Sequence, residues 1–248
     1  MDWNPLKIIK KLFKSKEYLK FLEEYSHYNK LSSELGKEQL KWSDRKIILG
    51  ENTATTKFDT HYIYHPAWAA RILAKNKPSF HVDISSTLHF STMLSAFIPV
   101  KFYDFRPAFL NLNGLISEKA DLLSLPFIEN SILSLSCMHT IEHLGLGRYG
   151  DRLDADADSK AAKELIRVLA KNGNLLVVVP VGRPRVMFNA HRIYSYEQII
   201  EMFRGLNLEE FSLIPDNALT EGIILRAKPS LIKNQKYGCG CFWFKKSL

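Results

Sequence analysis

Three cysteines in 248 residues are too few, and odd in number, to staple a secreted disulfide scaffold. No apolar run approaches the ~18 residues that a membrane span needs. The first residues, MDWNPLKIIKKLFK, are charged from the start and lack the apolar block and cleavage site of a signal peptide. Internal repeats and low-complexity tracts are lacking as well. These absences predict a soluble, cytoplasmic protein.

Hydrophobic residues make up 46% and charged residues 24%, the balance of a folded globular chain and not of a disordered one. The length suits one large domain, or one domain with an appendage. The net charge of +8 is concentrated at the ends: residues 1–20 carry +4, and residues 226–248 carry +6 with no acid. The interior is therefore near neutral or slightly acidic. Nucleic-acid binders interleave basic and aromatic residues on one surface, so no nucleic-acid partner is expected. Basic ends suit an anionic partner, and peripheral contact with an anionic membrane is one such case.

Leu6, Ile9, Phe13, Leu19, Leu22 and Tyr25 follow the helical period and predict an amphipathic helix over residues 5–28. A short second helix is expected over 31–41, interrupted by Gly36. The polar stretch GENTATTKFDT (50–60) reads as a boundary. The expected organisation is a helical extension over residues 1–55 and a main domain over 56–248. In the latter, Pro66 suits the first position of a helix over 65–76, which Lys77-Pro78 would end. Short apolar runs follow at Phe80–Ile84, Val100–Phe105, Ile132–Cys137 and Leu175–Val179. Helical stretches at 159–171 and 195–204 help to separate them. Buried strands alternating with helices define an α/β domain with a mainly parallel sheet. The runs Leu208–Ile214 and Tyr237–Phe244 have no full helix between them, and predict an antiparallel last strand closing the sheet edge.

Ligands of open parallel sheets bind beyond the carboxyl ends of the strands. The first predicted strand ends in Asp83-Ile84-Ser85-Ser86-Thr87 and the second in Asp104-Phe105-Arg106. Ala120-Asp121-Leu122 comes next, and the fourth ends in Met138-His139-Thr140-Ile141-Glu142-His143. A carboxylate ending the second strand can accept from both hydroxyls of a ribose, which makes Asp104 the candidate ribose ligand. Asp121 is placed to accept from an adenine amine. Nicotinamide and adenosylmethionine folds share these requirements.

The order DLLSLPFIENSILSLSCMHTIEHL, a helix, then ELIRVLAKNGNLLVVVPVG resembles the class I S-adenosylmethionine-dependent methyltransferases. Ala170-Lys171-Asn172-Gly173 stands in the superfamily's tight turn. The resemblance covers roughly residues 65–245, and YGCGCFWFKK looks like the last strand of that fold. AHRIYSYEQI at 190–199 is similar to the family called domain of unknown function 268. The resemblance implies a Rossmann-like sheet with helices on both faces, S-adenosylmethionine as cofactor, and a small-molecule or glycan acceptor. Asp83 would order the first loop or lie near the methionine amine, with Ser85, Leu122 and Met138 also on the cofactor side. Glu142 and His143 would begin the helix after the fourth strand, facing the cofactor's reactive end. His139 or His143 would be the base for a hydroxyl acceptor. Arg183, Arg185, His191 and Arg192 lie where an acceptor phosphate or carboxylate would be met.

One departure bears on activity. Ser85 and Thr87 stand where the superfamily has glycines after the first strand, and serine does not adopt positive φ freely. A catalytically silent binding protein on the same fold is the resulting alternative. A third reading comes from His139-Thr140-Ile141-Glu142-His143, which matches the H-x-x-E-H pattern of zinc peptidases. That chemistry needs both histidines on one sustained helix and a third ligand elsewhere; here glycines follow at once, and no metal is expected. Cys239 and Cys241 alternate along a strand, share one face, and read as packed free thiols.

Overall fold

The structure, a computed structural model, describes residues 16–247. They belong to two compact units that divide between Lys57 and Phe58. In the first, helix α1 spans Lys16–Glu34. It covers the described part of the helix expected over 5–28, whose residues 5–15 lie outside the described residues. It also absorbs the start of the expected second helix. Gly36, at φ +63°, ends it, with Gly36 and Lys37 donating back to the carbonyls of Ser33 and Ser32. The following segment folds back so that Leu40 N–H reaches Asn29 Oδ1 at 2.9 Å and Trp42 meets the ring of Tyr25 edge-on at 5.1 Å.

The second unit starts with helix α2, Thr60–Asn76. It begins five residues earlier than expected because Asp59 caps it, accepting from Tyr62 N–H. Pro66 therefore lies inside the helix and not at its first position. The buried side of α2 is a helical stripe of His61, His65, Trp68, Ala69, Ile72 and Leu73. Strand β1 (His81–Ile84), helix α3 (Leu88–Leu94), and strands β2 (Val100–Asp104), β3 (Leu115–Lys119) and β4 (Ile132–Met138) follow. Helix α4 (Ala157–Val168) runs directly into β5 (Leu169–Val181). The hairpin β6 (Arg185–Met187) and β7 (His191–Ile193), helix α5 (Tyr196–Met202), β8 (Leu206–Ile214), the short α6 (Ala218–Glu221) and β9 (Gly238–Lys246) complete it. No helix among the described residues is long and apolar enough to cross a membrane.

Seven strands form one sheet in the order β3-β2-β1-β4-β5-β9-β8. All pairings are parallel except those of β9, which is antiparallel to both neighbours. The antiparallel last strand is thus present, but it is inserted between β5 and β8, and β8 forms the edge. The expected tight turn at 170–173 is instead an irregularity within β5. Asn172 takes φ +60°, and a Cβ on Gly173 would lie 2.7 Å from the Ala170 carbonyl and 2.9 Å from that of Ile132.

Strand alternation gives the sheet two packed faces. On one, Val82, Leu135, Val177 and Phe242 meet Leu165 of α4 and Ile199 of α5. On the other, Met138, Val178, Cys239 and Cys241 meet Trp68 of α2 and Phe90 of α3. Both thiols are free and buried on this shared face. The same face of β1 presents two polar residues, His81 and Asp83. Both are sealed from solvent and satisfied internally: His81 by the hydroxyls of Ser134 and Ser136 at 2.8 Å each, Asp83 by Ser136 at 2.6 Å and by Ser91.

Candidate functional site

A cavity of about 510 Å³ opens at the carboxyl ends of the central parallel strands, a size ordinary for a small-ligand site. Ser85, Asp104, Asp121 and Leu122 line one part of it; His139 and His143 line another. The loop after β1 reaches it through Ser85 in the left-handed conformation, φ +54°. Ser85 N–H and Oγ both donate to the Tyr103 carbonyl, at 2.8 and 3.2 Å, which supports a backbone geometry that costs serine about 1–2 kcal/mol. Thr87, at the second expected glycine position, needs no special backbone. It sits at φ −75° and caps α3, its Oγ accepting from Phe90 N–H at 3.2 Å. The turn is therefore built with the residues present.

Asp104 ends β2 and accepts from Arg106 N–H at 2.7 Å, and Asp121 likewise from Leu123 N–H at 2.9 Å. Each Asx bond fixes one carboxylate oxygen at the cavity wall. The segment carrying Asp121 and Leu122 is held by residues of the two motifs singled out in the sequence. Leu125 N–H donates to Glu164 of α4 at 2.7 Å, while Arg167 pairs with Glu164 and donates to the carbonyls of Phe127 and Leu125 at 3.0 and 3.2 Å. A loop across the cavity is folded on Asp151, which accepts from Gly145, Gly147 and Tyr149 N–H groups. Partial burial pushes the Asp151 carboxyl up, but these backbone donors outweigh it and hold it below the usual range. Gly145 is required there, since a Cβ would lie 2.0 Å from the Asp154 carbonyl.

Asp83 does not reach the cavity. It is buried beneath the first loop and ties β1 to β4 and α3, so it orders the loop from inside. Burial raises its carboxyl to about 6, with the hydroxyls of Ser136, Ser86 and Ser91 pulling the other way. Met138 also points away: alternation along β4 turns it into the core face with Leu176 and Val178.

The polar run after β4 is not a sustained helix. His139 takes φ +56°, Ile141–His143 form one 3₁₀ turn, and the next helix begins only at Ala157. The expectation that Glu142 and His143 begin that helix is corrected by the intervening glycine loop. His139 Nδ1 lies 2.9 Å from buried Glu142 Oε1 and its Nε2 lies 3.4 Å from Cys239 Sγ. With the carboxylate an acceptor, Nδ1 carries the proton and Nε2 is the lone-pair nitrogen. His143 Nδ1–H donates to the Ala190 carbonyl at 2.6 Å, leaving its Nε2 as the basic atom, 3.8 Å from Glu142 Oε1.

Arg183, Arg185, His191 and Arg192 do not line this cavity. Arg192 is buried, donating to the Leu144 carbonyl at 2.6 Å and lying 3.4 Å from Asp158, a structural tie that leaves it no acceptor to meet. Arg183 and Arg185 are exposed, and Arg185 donates to the carbonyls of Arg183 and Lys236. His191 is half-buried, its ring 5.0 Å from that of Tyr237 and 6.3 Å from that of His143; burial lowers its basicity.

Sequence reasoning missed His61 and His65. Their i, i+4 spacing puts both on one helix face, a signal hidden while the helix was expected to begin at residue 65. The His61 ring stacks on that of His139 at 5.6 Å, and His65 meets His139 edge-on at 5.0 Å. Burial, then the neighbouring His139, lowers His61 to about 4 and His65 well below its ordinary value, so both are neutral at pH 7.

The strand order, the single antiparallel strand and the position of the cavity define the class I S-adenosylmethionine-dependent methyltransferase fold. A solved candidate methyltransferase of Bacillus halodurans is similar, with 13% identity over 74% of this chain and 99% of that one, at a TM-score of 0.52. The N-methyltransferase NodS of Bradyrhizobium japonicum, in complex with S-adenosyl-l-homocysteine, is similar over 73% of this chain and 85% of its own, with 13% identity and a TM-score of 0.48. Within that fold, residues 129–220 match the family described as Caenorhabditis protein of unknown function, DUF268. No curated protein matches the chain.

Proposed function

We propose that the chain is a methyltransferase that uses S-adenosylmethionine and acts on a small-molecule or glycan acceptor. The observation that carries this reading is the cavity itself, with Asp104, Asp121 and Leu122 at one part and His143 at another. The residues fit the cofactor. Asp104 would accept from the ribose hydroxyls, Asp121 from the adenine amine, and Leu122 with Ala120 would give the adenine an apolar wall. The positive φ of Ser85 is the backbone geometry that the glycine of related turns provides.

The bound cofactor supplies an activated methyl group. The chain's part is to hold the acceptor in line and to take its proton. His143 is the residue for that step: Nδ1–H is fixed on the Ala190 carbonyl, so Nε2, 3.8 Å from Glu142 Oε1, receives the proton. His139 is spoken for by Glu142 and Cys239 and is not the base in this reading.

The test is transfer of labelled methyl from S-adenosylmethionine into small-molecule and glycan fractions. His143→Ala should lower turnover about 10²–10⁴-fold while S-adenosylhomocysteine still binds. Normal turnover in His143→Ala would remove it as the base. Binding of S-adenosylhomocysteine with no transfer to any fraction would favour the silent binding protein.

A further inference from the structure

Next to Tyr62 and Tyr237, three side chains from three separate elements bring ligand atoms close together: His61 of α2, His139 at the end of β4 and Cys239 of β9. These atoms all lie within 4.8 Å of one another, and all three residues are buried. We propose that His61, His139 and Cys239 bind one Zn²⁺ ion. The proposal is independent of methyl transfer, and the site differs from the H-x-x-E-H run, with which it shares His139 as a ligand and Glu142 as that ligand's hydrogen-bond partner.

Three features support it. First, the chemistry of the donor set suits zinc, since two imidazoles and a thiolate are borderline to soft ligands and hard cations prefer oxygen. Second, the spacing of one ligand pair is right. Zinc bonds of ordinary length at a tetrahedral angle put a nitrogen and a sulfur ligand ~3.6 Å apart, and His139 Nε2 lies 3.4 Å from Cys239 Sγ. Third, His139 is oriented as a zinc ligand. Glu142, fully buried, accepts a hydrogen bond from Nδ1–H and leaves the lone pair on Nε2, the carboxylate–histidine arrangement that fixes tautomer and ring position at metal sites.

His65 stands next to this set. It is sealed from solvent, its Nδ1–H donates to the His61 carbonyl at 2.7 Å, and its Nε2 has no hydrogen-bond partner. A buried lone pair left unpaired is costly; His65 is a polar neighbour of the three-ligand set and not one of its members. The aromatic walls would exclude water. Tyr237 stacks on His61 at 5.1 Å and Tyr62 on His139 at 5.2 Å. A zinc ion here would join α2, β4 and β9, three segments distant in sequence.

The experiment uses the full chain, stripped with a chelator, re-equilibrated with Zn²⁺ and desalted. Elemental analysis should give one zinc per chain, and zinc should raise the midpoint of thermal unfolding. Substitution with Co²⁺ should give a thiolate-to-cobalt charge-transfer band. Cys239→Ser and His61→Ala should lose the retained zinc and the band, whereas Cys241→Ala should keep both. Where a ligand variant fails to fold, Glu142→Gln serves as the second probe and should weaken zinc affinity about 10–100-fold. Absence of retained zinc in the wild-type chain, or equal retention in folded Cys239→Ser, overturns the assignment and leaves the His139–Cys239 contact as a simple S–H···N hydrogen bond.

Discussion

Glu142 accepts the Nδ1 proton of His139 at 2.9 Å, and neither side chain is more than 4% exposed. A carboxylate is costly to bury unless it is paired, so this one is held for the position of His139. Glu142→Ala should destabilise the fold by about 1–3 kcal/mol, the range for leaving a buried donor without its partner. Urea unfolding of the variant measures it. A change below 0.5 kcal/mol would show that the pair contributes little to the fold.

The acid side of the stability profile should be set by buried histidines. Burial lowers His61 to about 4, His81 to about 3, and His65 in the same direction, from an ordinary value of 6.5. The unfolded chain therefore binds more protons, and stability falls as pH drops from 6.5 toward 4, by about 1.4 kcal/mol per unit for each histidine. Asp83 acts with the opposite sign. Its carboxyl is raised to about 6, so it favours the fold as pH falls through 6 and opposes one histidine's worth of the slope. Three histidines outweigh one carboxyl. His81→Asn should flatten the slope between pH 6 and 4.5, and Asp83→Asn should steepen it, in urea titrations at stepped pH. The reverse changes would contradict these assignments.

Arg167 clips the Leu-Pro-Phe segment to α4 through two backbone carbonyls and Glu164. Arg167→Ala should lower the thermal midpoint, and Arg167→Lys should recover only part, because an ammonium cannot reach the same three acceptors in one plane. Thermal unfolding distinguishes these; full recovery by lysine would leave only the charge as the contribution. Loosening this clip should also weaken adenosyl binding through Asp121.

Much of this architecture was legible because short apolar strands and strand-end carboxylates obey simple periodicities. Asp104, Asp121, Leu122, His139 and His143 do meet at one cavity. What was not legible depends on long-range packing. Pro66 has the look of a helix start, and only the Asp59 cap shows that the helix begins earlier and carries His61 and His65 on its buried side. Strand parity decides that Asp83 and Met138 face inward, and one residue of register would have reversed both. Arg192 lies among exposed basic residues in sequence, yet pairing with Asp158 takes it into the interior. Ser85 shows the limit of motif reading: a missing glycine suggests a missing turn, but two bonds to the Tyr103 carbonyl hold the serine at positive φ.

An adenosyl ligand is expected to sit across the ends of β1, β2 and β3 with its ribose on Asp104. Calorimetric titration with S-adenosylhomocysteine of the wild-type chain and of Asp104→Ala tests it most directly. The wild-type chain should bind one ligand, and binding should weaken by about 1–3 kcal/mol in the variant. No binding to the wild-type chain, or equal affinity in a folded Asp104→Ala, would contradict it.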